Sequence, residues 1–148
     1  MFIGREQELR TLNQLYASGK FEFAVIYGRR RVGKTALISE FIKGKDAIFF
    51  TGVESNAKQN LENFSQSIMD YRENDSLGVT FPSFQAALES VFQLAKSQRI
   101  ILVIDEYPYV AHAAKSLAST LQLLIDKHHA DSKLFLILCG SSMSYMED

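Results

Sequence analysis

Apolar residues along the chain fall into two alternating rhythms, short unbroken runs and stripes spaced by three or four. The runs are Phe23-Ala24-Val25-Ile26-Tyr27, Ala47-Ile48-Phe49-Phe50, Ile100-Ile101-Leu102-Val103-Ile104 and Leu134-Phe135-Leu136-Ile137-Leu138. A strand covered on both faces needs apolar side chains at consecutive positions, so each run predicts a buried strand, most strongly the all-aliphatic third. Between the runs lie the stripes Leu9, Leu12, Leu15 and Tyr16; Leu37, Ile38, Phe41 and Ile42; Leu61, Phe64, Ile68 and Tyr71; Phe84, Leu88, Val91, Phe92 and Ala95; and Leu117, Leu121, Leu124 and Ile125. Their spacing puts each set on one side of a helix, as core rather than as partner grooves. Ser18-Gly19 and Lys43-Gly44 supply helix stops. Buried strands separated by helices predict an α/β fold, a parallel sheet between two helical layers.

Composition narrows the picture. The 148 residues suit one domain, and 47% hydrophobic with 22% charged residues is ordinary globular usage. The net charge of -1 argues against a domain that coats nucleic acid. No apolar stretch approaches the roughly 20 residues that span a bilayer, so no membrane span is expected. Met1 to Glu6 has no secretory h-region. The lone Cys139 cannot form an internal disulfide, and the expectation is a cytoplasmic protein with Cys139 as an inert buried thiol.

Directly after the first strand stands Gly28-Arg29-Arg30-Arg31-Val32-Gly33-Lys34-Thr35, a full match to the phosphate-loop pattern G-x-x-x-x-G-K-[ST]. Between a buried strand and a helix, such a loop aims backbone N–H groups and a helix N-terminus at an anion. Gly28 lets the chain turn off the strand, and Gly33 allows close backbone approach to phosphates. Lys34 can place a point charge on the β- and γ-phosphates, and the Thr35 hydroxyl is a ligand for Mg²⁺. Arg29, Arg30 and Arg31 can reach phosphate oxygens, act on a partner or stay solvated.

The aliphatic strand ends in Asp105-Glu106. Asp105 at the carboxyl end of a central parallel strand stands where ligands bind in such sheets, and it can hold the metal or its waters. Glu106 can polarise a water for attack on the γ-phosphate, and an acidic residue here is equally at home as a helix N-cap. Pro108 begins the next segment, and Tyr107 and Tyr109 are read as packing. After the last strand come Cys139-Gly140-Ser141-Ser142. Ser141, or Ser142 after it, can orient the attacking water or touch the γ-phosphate, the alternative being a turn serine. His128 and His129 are adjacent on a helix and cannot chelate one metal as an i, i+4 pair would; in its last turn they complement the helix dipole.

Together, Phe2-Ile3-Gly4-Arg5-Glu6 ahead of a helix, the arginine-filled loop, Asp105-Glu106 and Gly140-Ser141-Ser142 resemble the archaeal-type P-loop ATPases, a family akin to the origin-recognition branch of the AAA+ and STAND ATPases. The resemblance spans nearly the whole chain. It implies a P-loop NTPase fold of the ASCE type, ATP as nucleotide and Mg²⁺ as metal. It also implies adenine contacts at Ile3, Gly4 and Arg5, a Walker A loop of residues 28–35, Asp105 and Glu106 as Walker B metal residue and catalytic base, and Ser141 as sensor. Family sheets have the strand order 5-1-4-3-2 and carry a helical lid and winged-helix region, whereas only four strand runs are present here. Residues 1–148 are therefore expected to be a truncated ATPase core whose first strand is an unpaired hydrophobic edge. A protein partner or self-association would cover that edge, and DNA is conceivable only for the full-length protein. Two activities stay open: Mg²⁺-dependent ATP hydrolysis, and a nucleotide-gated interaction switch with little or no turnover. A small-molecule kinase would need an acceptor pocket and lid that the sequence does not reveal.

Overall fold

A computed structural model describes residues 6–28, 34–72 and 80–141. Helix α1 (Glu6–Ala17) leads to strand β1 (Glu22–Gly28), then α2 (Lys34–Ile42), β2 (Ala47–Thr51) and α3 (Ala57–Arg72). Helix α4 (Phe84–Leu94), β3 (Ile100–Asp105), α5 (Tyr107–Ala113), α6 (Leu117–His128) and β4 (Leu134–Ser141) complete the order. The four strands form one parallel sheet in the order β1-β4-β3-β2. Among the described residues β1 is one edge of this sheet, as expected from the sequence.

Side-chain alternation divides the strands between two cores. Ile101 and Val103 of β3 and Phe135, Ile137 and Cys139 of β4 pack with Leu12 of α1 and Leu37, Ile38 and Phe41 of α2. Phe41 sets its ring edge-on to Tyr16 and Phe135, at centroid distances of 6.1 and 5.8 Å. On the opposite face Ile100, Leu102, Ile104, Leu134, Leu136 and Leu138 pack with α3, α4 and α6, where Phe50 and Phe64 stack at 5.0 Å. The result is three layers, helices on both sides of the sheet. Helix α5, not foreseen as a separate element, begins at Tyr107 and carries Pro108 in its first turn, where the missing N–H costs nothing. On β1 the alternate positions Phe23 and Val25 are 47% and 52% exposed, because no described helix covers that part of the sheet.

At the amino ends of the strands, Arg99 collects four backbone carbonyls. Its guanidinium donates to Leu15 O (2.9 Å), Tyr16 O (3.1 Å), Lys20 O (2.5 Å) and Lys133 O (2.7 Å). The first two also accept the Ser18 and Gly19 N–H groups (3.2 and 3.3 Å) in the turn that closes α1, where a cation meets the favourable end of the helix dipole. The planar cation lies over the Tyr16 and Phe135 rings as well. One half-buried side chain thus ties α1 to the starts of β1 and β4. His128 also differs from its sequence reading. Instead of serving only the helix end, it is buried, stacked on Phe92 at 5.1 Å, with Nε2 2.5 Å from Glu89 Oε2. His129 Nδ1 lies 3.0 Å from the carbonyl of Ile125, within the helix terminus as anticipated.

Replacing Arg99 by Lys leaves a point charge that cannot match this planar fan, and hydrogen bonds to charged groups are worth about 1.5–3 kcal/mol each. Arg99→Lys should lower stability by about 2–4 kcal/mol in chemical denaturation; an unchanged midpoint would show that water replaces the guanidinium without loss. Cys139 yields a chemical test. Burial, with the Asp105 carboxylate as a further contributor, pushes its thiol up to about 12. The folded thiol therefore holds its proton after the unfolded one has lost it, and this residue's contribution to stability declines as pH rises from 9.0 towards about 12. A thiol-specific disulfide reagent at pH 8 should leave native protein unmodified and react fully after unfolding.

Candidate functional site

The carboxyl ends of the four parallel strands bring Gly28, Thr51, Asp105 and Ser141 to one edge of the sheet. Asp105 is the last residue of β3 and follows five residues buried to within 2% of complete exclusion. By alternation it belongs to the face of Ile101 and Val103, the side on which α2 packs. Lys34 opens α2 on that same side and is only 3% exposed. Its Nζ donates to Asp105 Oδ1 at 2.7 Å, joining residues 71 apart in sequence. Neither charge could be buried alone at acceptable cost, so each is the condition for the other's position. Thr35, next on α2, is exposed.

Glu106 follows in an unusual backbone state. With φ 53° and ψ 43° it is the one non-glycine residue of positive φ among those described, and it occupies the N-cap position of α5 without a side-chain cap bond. That conformation costs roughly 1–2 kcal/mol for a residue with a Cβ and persists only where neighbours enforce it. Of the two sequence readings of Glu106, the cap position is therefore real but capping chemistry is not what its carboxylate does. Its carbonyl accepts the Tyr109 N–H at 3.1 Å, closing the first turn of α5.

Beneath this segment lies the turn after β2. The Gly52 N–H donates to Asp105 O at 2.7 Å, continuing the pairing of Thr51 with Asp105. The next residue, Val53, is held by Asn60 of α3, whose side chain is fully buried. Asn60 Oδ1 accepts the Val53 N–H at 2.9 Å, and its Nδ2 donates to Val53 O and Asn56 O, each at 3.1 Å. Neither residue stands out in the sequence. Gly52 follows an apolar run as any loop glycine would, and Asn60 sits among polar residues of a helix, where a buried amide leaves no pattern to notice.

The structure thus brings Lys34 and Asp105 into contact, with Glu106 following Asp105 at the head of α5. Gly28 pairs with Ser141 across β1 and β4, so the start of the glycine-rich loop and the candidate sensor end on adjacent strands. Arg29, Arg30, Arg31, Val32 and Gly33 lie outside the described residues, as do Ile3, Gly4 and Arg5 at the N-terminus and Ser142. Cys139 is fully buried two residues before Ser141, consistent with an inert thiol. For a metal, Thr35 and Asp105 offer hard oxygen donors, a set suited to an ion completed by phosphate and water. Among the described residues no group of three or more His, Cys, Asp or Glu side chains could hold a metal, and no helix is long and apolar enough to cross a membrane.

Comparison with known proteins agrees with this geometry. An uncharacterized protein of Methanocaldococcus jannaschii is 32% identical over 149 residues, covering 99% of this chain and 31% of its own length. The chain therefore spans about a third of that relative. Among solved structures, the ORC2 protein of Aeropyrum pernix in ADPNP–ADP complexes superposes with a TM-score of 0.66 at 19% identity, covering 97% of this chain and 43% of that one. The ORC1 protein of Aeropyrum pernix in complex with DNA gives 0.63 at 18% identity, over 97% of this chain and 40% of that one. At such identities the likeness is one of fold, and it is the fold that the resemblance implied. The family model for an ATPase domain predominantly from Archaea matches residues 2–148, and the chain belongs to that family.

Proposed function

We propose that this chain binds ATP at the carboxyl edge of its sheet and forms the core of a Mg²⁺-dependent ATPase. The observation that carries the reading is the Lys34–Asp105 contact: a lysine at the head of a helix, behind a glycine-rich loop, buried on a carboxylate at the end of a central strand. By the sequence pattern, the backbone N–H groups of Gly28, Arg29, Arg30, Arg31, Val32 and Gly33, with the N-terminus of α2, would supply the phosphate cradle. An incoming phosphate offers Lys34 a second anion, so binding exchanges one ion pair for another and strands no buried ammonium. Thr35 and Asp105 would hold Mg²⁺, which would supply positive charge against the developing charge of the phosphates. Glu106 aligns a water and takes its proton as the oxygen attacks the γ-phosphorus and the bond to the ADP oxygen breaks. Ser141 orients that water, and Ile3, Gly4 and Arg5 border the adenine.

A second reading, the nucleotide-gated interaction switch, is favoured by the edge of β1. Phe23 and Val25 are exposed on a strand that ends at Gly28, the first residue of the phosphate-loop pattern, so a partner paired with β1 would bear on the residue from which that loop departs. An open parallel edge with apolar side chains is a template for a further strand from a partner protein, a second copy or more of the same polypeptide. DNA is left to the full-length protein, since a net charge of -1 provides no general attraction for it.

Lys34→Ala should abolish the rise in melting temperature that ATP with Mg²⁺ produces; a retained shift would remove the site from Lys34. Glu106→Gln should keep that shift while releasing phosphate about 100-fold more slowly, the scale of a lost general base. Equal, slow release by wild type and Glu106→Gln would favour the switch over the hydrolase. For the edge, sedimentation should show association with rising concentration, weakened by Val25→Lys. Monomeric behaviour at high concentration, with full exchange of the β1 edge amides, would count against a pairing surface.

A further inference from the structure

Glu106 stands in the left-handed region, and its neighbours must hold it there. One of them is Gly52. A Cβ placed on Gly52 would press into Val110 Cγ2 and lie 2.7 Å from Glu106 O and 3.5 Å from Asp105 O. The first obstacle is the tip of a side chain and can turn aside. The second is backbone, fixed by the bond from the Tyr109 N–H to Glu106 O. Retreat on the other side is closed as well. The Gly52 N–H is bonded to Asp105 O, and Val53 is gripped through both its N–H and its carbonyl by the fully buried Asn60. Gly52 is therefore the shim of a stack that runs from α3 through the β2–α3 turn to the peptide joining Asp105 to Glu106.

We propose that Gly52 is a positioning residue for Glu106: its missing side chain, backed by the Asn60 clamp, lets the chain settle with Glu106 left-handed and so sets the direction of its carboxylate. Any side chain at position 52 displaces the Glu106 backbone, which has a more relaxed conformation to move into, and so swings the carboxylate away. The inference rests on the hydrolase reading of Glu106. It assigns the turn after β2 a part in turnover and none in nucleotide affinity, because phosphate and metal are held by residues 28–35 and Asp105.

The test compares wild type, Glu106→Gln, Gly52→Ala, Val110→Ala and the Gly52→Ala/Val110→Ala double variant, measuring phosphate release against ATP concentration and ATP-induced thermal shift. Gly52→Ala should lower kcat at least tenfold with KM and thermal shift within about twofold of wild type, because the water is misaligned while binding persists. Val110→Ala should turn over like wild type. The double variant should stay as slow as Gly52→Ala, since removing Cγ2 leaves the Glu106 carbonyl in the way. Wild-type turnover by Gly52→Ala, or its recovery in the double variant, overturns the inference while leaving the hydrolase reading intact. Loss of the ATP shift in Gly52→Ala overturns it too, by showing a general structural role. A wild type that releases phosphate no faster than Glu106→Gln overturns the hydrolase reading and this inference with it.

Discussion

The Lys34–Asp105 ion pair is the constraint around which the upper half of the molecule is arranged. An ammonium and a carboxylate, both nearly excluded from water, can stand at the end of an aliphatic strand only by satisfying each other. That requirement sets the depth at which α2 begins, and hence the place where the preceding loop must leave β1. It also locates the polar edge of the sheet: β3 is apolar on both faces until Asp105, and the first charge on that strand is met by the first residue of the helix that packs on the same face. Phosphate binding in the proposed function then works by substitution within an existing charged pocket.

At the opposite end of the strands Arg99 performs a comparable service with different partners. Its guanidinium meets carbonyls from α1, from the turn before β1 and from the turn before β4, and so gathers segments that are far apart in sequence. The two cations differ in solvation. Lys34 is buried beside one full negative charge, whereas Arg99 is half-buried among carbonyl dipoles and aromatic faces, an environment that a delocalised, weakly hydrated cation tolerates. Exchanging the two residue types would suit neither site.

Much of this was legible in the sequence because its strongest signals are local. Four unbroken apolar runs became the four strands, and the amphipathic stripes became α1, α2, α3, α4 and α6, since burial on one face or both leaves a direct mark on residue order. The loop pattern from Gly28 to Thr35 and the acidic pair stand out in the sequence for a similar reason, because phosphate chemistry needs particular residues at particular spacings, and the structure brings Lys34 of the one onto Asp105 of the other. What escaped notice depends on contacts between distant segments. Nothing around Arg99 announces four carbonyl partners, and Asn60 reads as one more polar residue of a solvated helix face. The left-handed state of Glu106 is imposed by tertiary surroundings rather than by its own preferences. Helix α5 was concealed by its brevity and by aromatic residues that carry no helical period.

The strand order also determines when the sheet can exist. Strand β1 is complete by residue 28, yet its sole neighbour among the described strands is β4, which ends at residue 141. As the polypeptide leaves the ribosome, β2 and β3 can pair with one another while β1 and its flanking helices wait for a strand that arrives more than a hundred residues later and must slot into the middle of the sheet. Closing so long a loop is slow, and apolar strand surface stays open meanwhile. The nascent chain is thus most vulnerable to aggregation before β4 has emerged, and the insertion of β4 converts two separate halves into one cooperative unit.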